Sequence, residues 1–149
     1  MRKGAIVTAL CNVVGSTIAR ESGRGIYLHA GPEMSVASTK GFTTQVAVLL
    51  LFALLLGRNR RLSRSEGIEL VKQIQAVPDL IRSVLAQAPE IEKIAQRYAE
   101  MENFFYIGRG CLYPAALEGA LKLKEISYIH AEGYHASELY SSVIQRLLK

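Results

Sequence analysis

The chain carries only two cysteines, Cys11 and Cys111, among its 149 residues. They stand far apart, with no Cys-X-X-Cys pair and no metal-ligand spacing, so neither a disulfide scaffold nor a zinc module is indicated. Two reduced thiols in a cytosolic protein are the reading that remains. Long apolar runs are also missing. The longest, Val46 to Leu56, covers 11 residues against the roughly 20 that a membrane span needs. A buried helix is expected there, and no membrane partner. Met1-Arg2-Lys3 is basic and Ala5 to Val14 is apolar, but Asn12 interrupts the run and no small-residue cleavage pattern follows. A strand is expected rather than a signal peptide, and a cytoplasmic location with it. There is no internal repeat and no low-complexity segment. With 50% apolar and 21% charged residues, the composition is that of a chain able to bury a core.

The net charge is +5. Its densest stretch, Arg58-Asn59-Arg60-Arg61 with Arg64 close by, follows an apolar segment, where cations favour a helix end. No nucleic-acid motif accompanies it, so no nucleic-acid partner is expected. A basic protein does suit small anionic ligands.

Residues Ala5 to Leu10 are apolar and β-branched without alternation, the pattern of a strand buried on both faces. Asn12 and Gly15-Ser16 close it with turn chemistry. Gly25 to His29 reads as a second strand. Ser35 or Ser38 is expected to cap a helix running to about Leu56, with Gly57 as its stop. That helix is apolar nearly all round towards its end and is expected to be buried. Helical spacing follows over Ser65 to Leu85, with Pro78 a break or kink, and over Glu90 to Met101. Phe104 to Ile107 is a third strand and Gly108-Arg109-Gly110 a turn. Pro114 suits the first turn of a helix reaching His130, and a last helix is expected over His135 to Leu148. The order indicates an α/β fold, with too few strands for a complete doubly wound sheet.

Several stretches together resemble one family. Cys11-Asn12-Val13-Val14-Gly15-Ser16 leads to Arg20-Glu21, then Ala30-Gly31-Pro32-Glu33, then Val36-Ala37-Ser38-Thr39-Lys40 with Phe42-Thr43-Thr44-Gln45. Gly108-Arg109-Gly110 and the long run Leu117 to Glu132 follow. This order is similar to the isomerase domain of glucosamine-6-phosphate synthases, the glutamine:fructose-6-phosphate aminotransferases, over nearly all of residues 4 to 139. The resemblance implies an incomplete SIS, flavodoxin-like parallel sheet with flanking helices. Residues 1–61 would be the C-terminal part of one SIS subdomain and 62–149 the N-terminal part of a second, with 140–149 an unmatched tail. It further implies a hexose phosphate ligand (fructose 6-phosphate or glucosamine 6-phosphate), a homodimer, and no metal or organic cofactor.

Moving a proton between adjacent sugar carbons requires a base placed over both. Glu118, Lys122 and Glu125 stand at i, i+4 and i+7, on one helix face. Spacing alone fits a surface ion-pair ladder. By the resemblance, Glu125 matches the isomerisation base and Lys122 lines the same site. Val36, Ser38 and Thr39 lie where a loop feeds a helix N-terminus, so free N–H groups and hydroxyls could take sugar oxygens or a phosphate. The family positions matching Val36 and Ser38 hold the sugar. Gly108-Arg109-Gly110 reads as a turn, His29 and His130 as packing or surface residues. His135 lies near the family's catalytic zone without occupying its histidine position.

The pattern also breaks. After Glu138-Leu139, Ser141 stands where the family has its ring-opening histidine, and a serine hydroxyl is no acid near neutral pH. The glutaminase, the Ser/Thr-rich phosphate loop and the Schiff-base lysine have no counterpart. The expectation is a piece of a synthase, inactive alone. The alternative is a non-catalytic SIS-type module that binds a phosphosugar.

Overall fold

A computed structural model describes residues 4–138. These divide after Ala88 into two compact units. In the first unit, β1 (Ala9–Cys11) and β2 (Gly25–Tyr27) form a two-stranded parallel sheet, pairing Ala9 with Gly25 and Cys11 with Tyr27. Helix α1 (Thr17–Ser22) joins them as a crossover, the connection parallel strands require. Ser16 caps it by accepting the Ala19 N–H at 3.4 Å, and Gly23 ends it in the left-handed region at φ 61°. Sequence reasoning read residues 15 and 16 as a turn and passed over this helix, although a Ser before it and a Gly after it are the usual signs of a helix's two ends.

β1 corrects the expected strand at Ala5 to Leu10. Ile6 and Val7 are exposed and lie outside it. The strand is only as long as its partner: three β2 residues supply the ladder, and of the β1 residues only Ala9 is buried.

Helix α2 (Lys40–Arg58) and helix α3 (Arg64–Leu85) complete the first unit. Their connection is a turn closed on the Gly57 carbonyl, which accepts the N–H groups of Arg60, Arg61 and Leu62 at 2.8–3.0 Å. Ser63 opens α3 with a capping box: its hydroxyl accepts the Glu66 N–H at 3.2 Å, and Glu66 accepts the Ser63 N–H at 2.8 Å. Pro78 does not end α3, which runs unbroken past it.

The expectation of a buried α2 is overturned. None of its residues is buried, and Leu49, Leu50, Leu51 and Leu55 are about half exposed. The helix begins six residues before the apolar run, so by length and composition it could also cross a membrane. The length argument against a span therefore falls, although core helices of soluble proteins pass the same test. An all-round apolar helix needs cover on every side, and among the described residues of the first unit α3 is the main element packed against it.

The second unit contains α4 (Ala88–Arg97) beyond its first residue, β3 (Asn103–Gly108), α5 (Leu112–Ser127), β4 (His130–His135) and a short α6 (Ala136–Glu138). β3 and β4 are parallel over six residues each, from Asn103 opposite His130 to Gly108 opposite His135. α5 packs on this pair through Ala116 and Ala120, and Ala131 of β4 is fully buried beneath it. These small side chains permit a close helix–sheet approach. Gly133 of β4 extends it: a Cβ there would lie 2.9 Å from the Leu117 Cα. The sequence reading ran α5 to His130 and missed β4. The helix stops at Tyr128, which adopts φ 62°, a conformation a tyrosine rarely takes. The expected helix over His135 to Leu148 lies mostly outside the described residues.

Candidate functional site

Two groups of sequence-selected residues occur, one in each unit. In the second, α5 carries Glu118, Lys122 and Glu125 on one face. The Lys122 Nζ lies 2.7 Å from Glu125 Oε2 and 3.4 Å from Glu118 Oε1. All three side chains are only 22–25% exposed. That exposure separates the cluster from a solvated ladder. The ion pairs Arg82–Asp79 of α3 and Lys93–Glu90 of α4, equally local in sequence, have side chains 69–82% exposed. An exposed pair contributes a few tenths of a kcal/mol, whereas a largely covered triad with two carboxylates on one ammonium is a different electrostatic object.

The Glu125 hydrogen bond is the largest influence on Lys122. Desolvation works against it, but the two carboxylates together hold the ammonium above its ordinary pKa. Because the folded value is raised, this interaction stabilises the fold fully below the ordinary lysine pKa of 10.5 and is lost as pH rises through the higher folded value. The melting temperature of the chain is expected to fall over that alkaline window more steeply than that of Lys122→Met. Equal slopes would show that the triad is not formed in solution.

Adjacent to the triad, Lys124 reaches Glu132 of β4 at 3.2 Å, tying α5 to the sheet. His130 contacts Asn103 across the strand pair at 3.1 Å, as a surface residue. His135 stacks edge-on against Tyr113 and shares a 2.7 Å hydrogen bond with Ser137. Gly108, Arg109 and Gly110 form the turn between β3 and α5.

In the first unit, Val36, Ser38 and Thr39 lie on the loop that enters α2. Val36 is 87% exposed, and its neighbour Ala37 anchors the loop at 3% exposure. Asn12 fixes the approach to the loop, donating to the Gly31 carbonyl at 2.6 Å and accepting the Ala30 N–H at 2.9 Å. Thr39 occupies the cap position of α2 but makes no side-chain cap bond. Neither Ser35 nor Ser38 caps the helix as expected. The acceptor is Glu33, whose Oε2 takes the Gly41 N–H and the Ser38 hydroxyl, each at 3.0 Å. Desolvation alone would raise the Glu33 pKa. The Gly41 N–H, the Ser38 hydroxyl, the Thr39 backbone and the Lys40 charge outweigh it and hold the carboxyl below its ordinary value. Glu33 was not singled out from sequence, because it stands well before the Thr39 cap position of α2 and reaches Gly41 only through the fold of the loop.

The model of the SIS domain family matches residues 1–55 and 97–148, most of the chain. The chain belongs to the SIS domain family. The intervening residues 56–96 hold α3 and most of α4. Relatives of this SIS chain include the glutamine–fructose-6-phosphate aminotransferase (isomerizing) of Chlorobaculum tepidum, 53% identical over 92% of the chain and 22% of the relative. The Escherichia coli K12 protein of the same name is 49% identical over 88% of the chain and 22% of the relative. A solved structure, the C-terminal domain of glucosamine-fructose-6-phosphate aminotransferase from Francisella tularensis, matches with a TM-score of 0.86 and 40% identity. That match covers 89% of this chain and 38% of that one. The SIS chain thus spans about a fifth of the length of these curated relatives. The α/β fold with parallel strands and flanking helices expected from sequence is the fold of this family.

Proposed function

We propose that this chain supplies part of the sugar site in the isomerising half of a glutamine–fructose-6-phosphate aminotransferase. Glu125 is the base that moves a proton between neighbouring carbons of the hexose phosphate. Lys122 holds Glu125 in place and supplies positive charge beside it. Val36, Ser38 and Thr39 hold the sugar through backbone and hydroxyl groups. The observation that carries this reading is the largely covered Glu118–Lys122–Glu125 triad on α5, whose cover sets it apart from the open ion pairs Arg82–Asp79 and Lys93–Glu90. A base must be present as the carboxylate, and a neighbouring ammonium suits that state.

The reading includes residues 1–61 as the close of one SIS subdomain and 62–149 as the opening of a second. Pairing into a homodimer and a cytoplasmic location belong to it, and the uncovered apolar surface of α2 supports association with further polypeptide. A non-catalytic phosphosugar-binding module is the second reading. What favours it is Ser141, at the position where the resemblance has a histidine; that residue lies outside the described ones.

The isolated chain is expected to form no glucosamine 6-phosphate from fructose 6-phosphate and ammonia above a Glu125→Gln control. Catalytic groups that act as a unit lose most of their rate when members are missing. Turnover above the control would contradict this. The same sample separates the two readings. A piece of a synthase should hold fructose 6-phosphate only weakly, at about millimolar Kd, whereas a dedicated module should reach about micromolar.

A further inference from the structure

The first turn of a 19-residue helix is where an external anion would settle, because its N–H groups have no partner within the helix. In α2 that position is already filled. The Glu33 carboxylate lies on the Gly41 N–H, and Gly41 makes room for it: a Cβ there would come 2.7 Å from Glu33 Oε2 and 2.9 Å from Ser38 Oγ. Lys40 is the charged side chain beside it.

This arrangement fixes the polarity of Ser38. A carboxylate only accepts, so the Ser38 O–H must point at Glu33, and the lone pairs of Oγ remain to accept from something else. A sugar hydroxyl can donate to them. A phosphate oxygen finds no hydrogen there and meets the charge of Glu33. We propose that Glu33 is a specificity-determining residue: it fills the anion position at the start of α2, so the Ser35–Thr39 loop accepts neutral sugar hydroxyls and rejects phosphate. The proposal rests on the reading that this loop touches the sugar.

The test is amide NMR on the full chain, following Thr39 and Gly41 in titrations with inorganic phosphate and, separately, fructose 6-phosphate at millimolar concentrations. Phosphate is expected to leave both amides unmoved in the wild type. In Glu33→Ala it should shift them, with at least tenfold tighter apparent binding, and Glu33→Gln should fall between. Phosphate shifts in the wild type, or no gain in either variant, would overturn the proposal. If the variants lose the native amide pattern of the loop, the wild type supplies the same comparison at falling pH. Phosphate binding must then emerge as Glu33 protonates below the ordinary carboxylate range, with the Lys40 charge constant. Its failure to emerge would equally overturn the proposal. The fructose 6-phosphate arm is independent. If it moves no Ser35–Thr39 amide in any form, the sugar-contact reading fails while the phosphate arm still decides the role of Glu33.

Discussion

Glu125→Gln, placed in a hybrid in which residues 4–138 replace the matching segment of the Chlorobaculum tepidum relative, is expected to lower glucosamine 6-phosphate formation by about 10²- to 10⁴-fold, the usual contribution of a positioned base. The amide keeps the shape and a hydrogen-bond acceptor for Lys122 but cannot take a proton. Apparent affinity for fructose 6-phosphate should change little, because the loss falls on the step in which the proton moves. Measuring kcat and KM separately decides the matter. A rise in KM with kcat unchanged would make Glu125 a binding residue. Unchanged kinetics would reduce the triad to a structural ion pair.

The second large effect is expected at Gly108. The last residue of β3 lies so close to the start of α5 that an added Cβ would meet the Leu112 carbonyl carbon at 2.5 Å and the Tyr113 Cα at 2.7 Å. Both are backbone atoms, which cannot swing aside as a side-chain tip can. Gly108→Ala must push α5 from the sheet, at about 3 kcal/mol, the upper end of ordinary overpacking costs. Gly23→Ala is the control. It meets nothing within 4 Å, and only its φ of 61° is unfavourable, a cost of about 1 kcal/mol. Urea midpoints at unchanged m-value give both numbers. If the two variants lose the same stability, the close approach of α5 to β3 is not formed. Because α5 carries Lys122 and Glu125, the Gly108 substitution should also lower activity in the hybrid.

These expectations show which parts of the molecule were legible. Strong helical periodicity exposed α3, and the run from Leu117 to Glu132 exposed the triad, because i, i+4, i+7 spacing survives folding unchanged. The cover on that triad was not legible, since it depends on how α5 meets β3 and β4. β4 itself was lost because His130 to His135 has no apolar alternation and the helix before it ends on a left-handed tyrosine rather than a glycine. α1 was lost to its shortness. At the start of α2, hydroxyl residues in sequence suggested a serine cap. The fold instead brings Glu33 back across eight positions to Gly41, a contact no local window reports. The burial expected for α2 failed for a related reason. A sequence shows that a face is apolar, but not whether a neighbour covers it.

The most direct measurement of the central claim is the activity of the hybrid with Glu125 intact. If residues 4–138 contribute the base and sugar contacts of an isomerising aminotransferase, the folded hybrid will form glucosamine 6-phosphate from fructose 6-phosphate within about tenfold of the relative's rate, a difference of about 1.4 kcal/mol in barrier. A folded hybrid that binds the sugar phosphate and yields no product would contradict the account and leave the binding-module reading in its place.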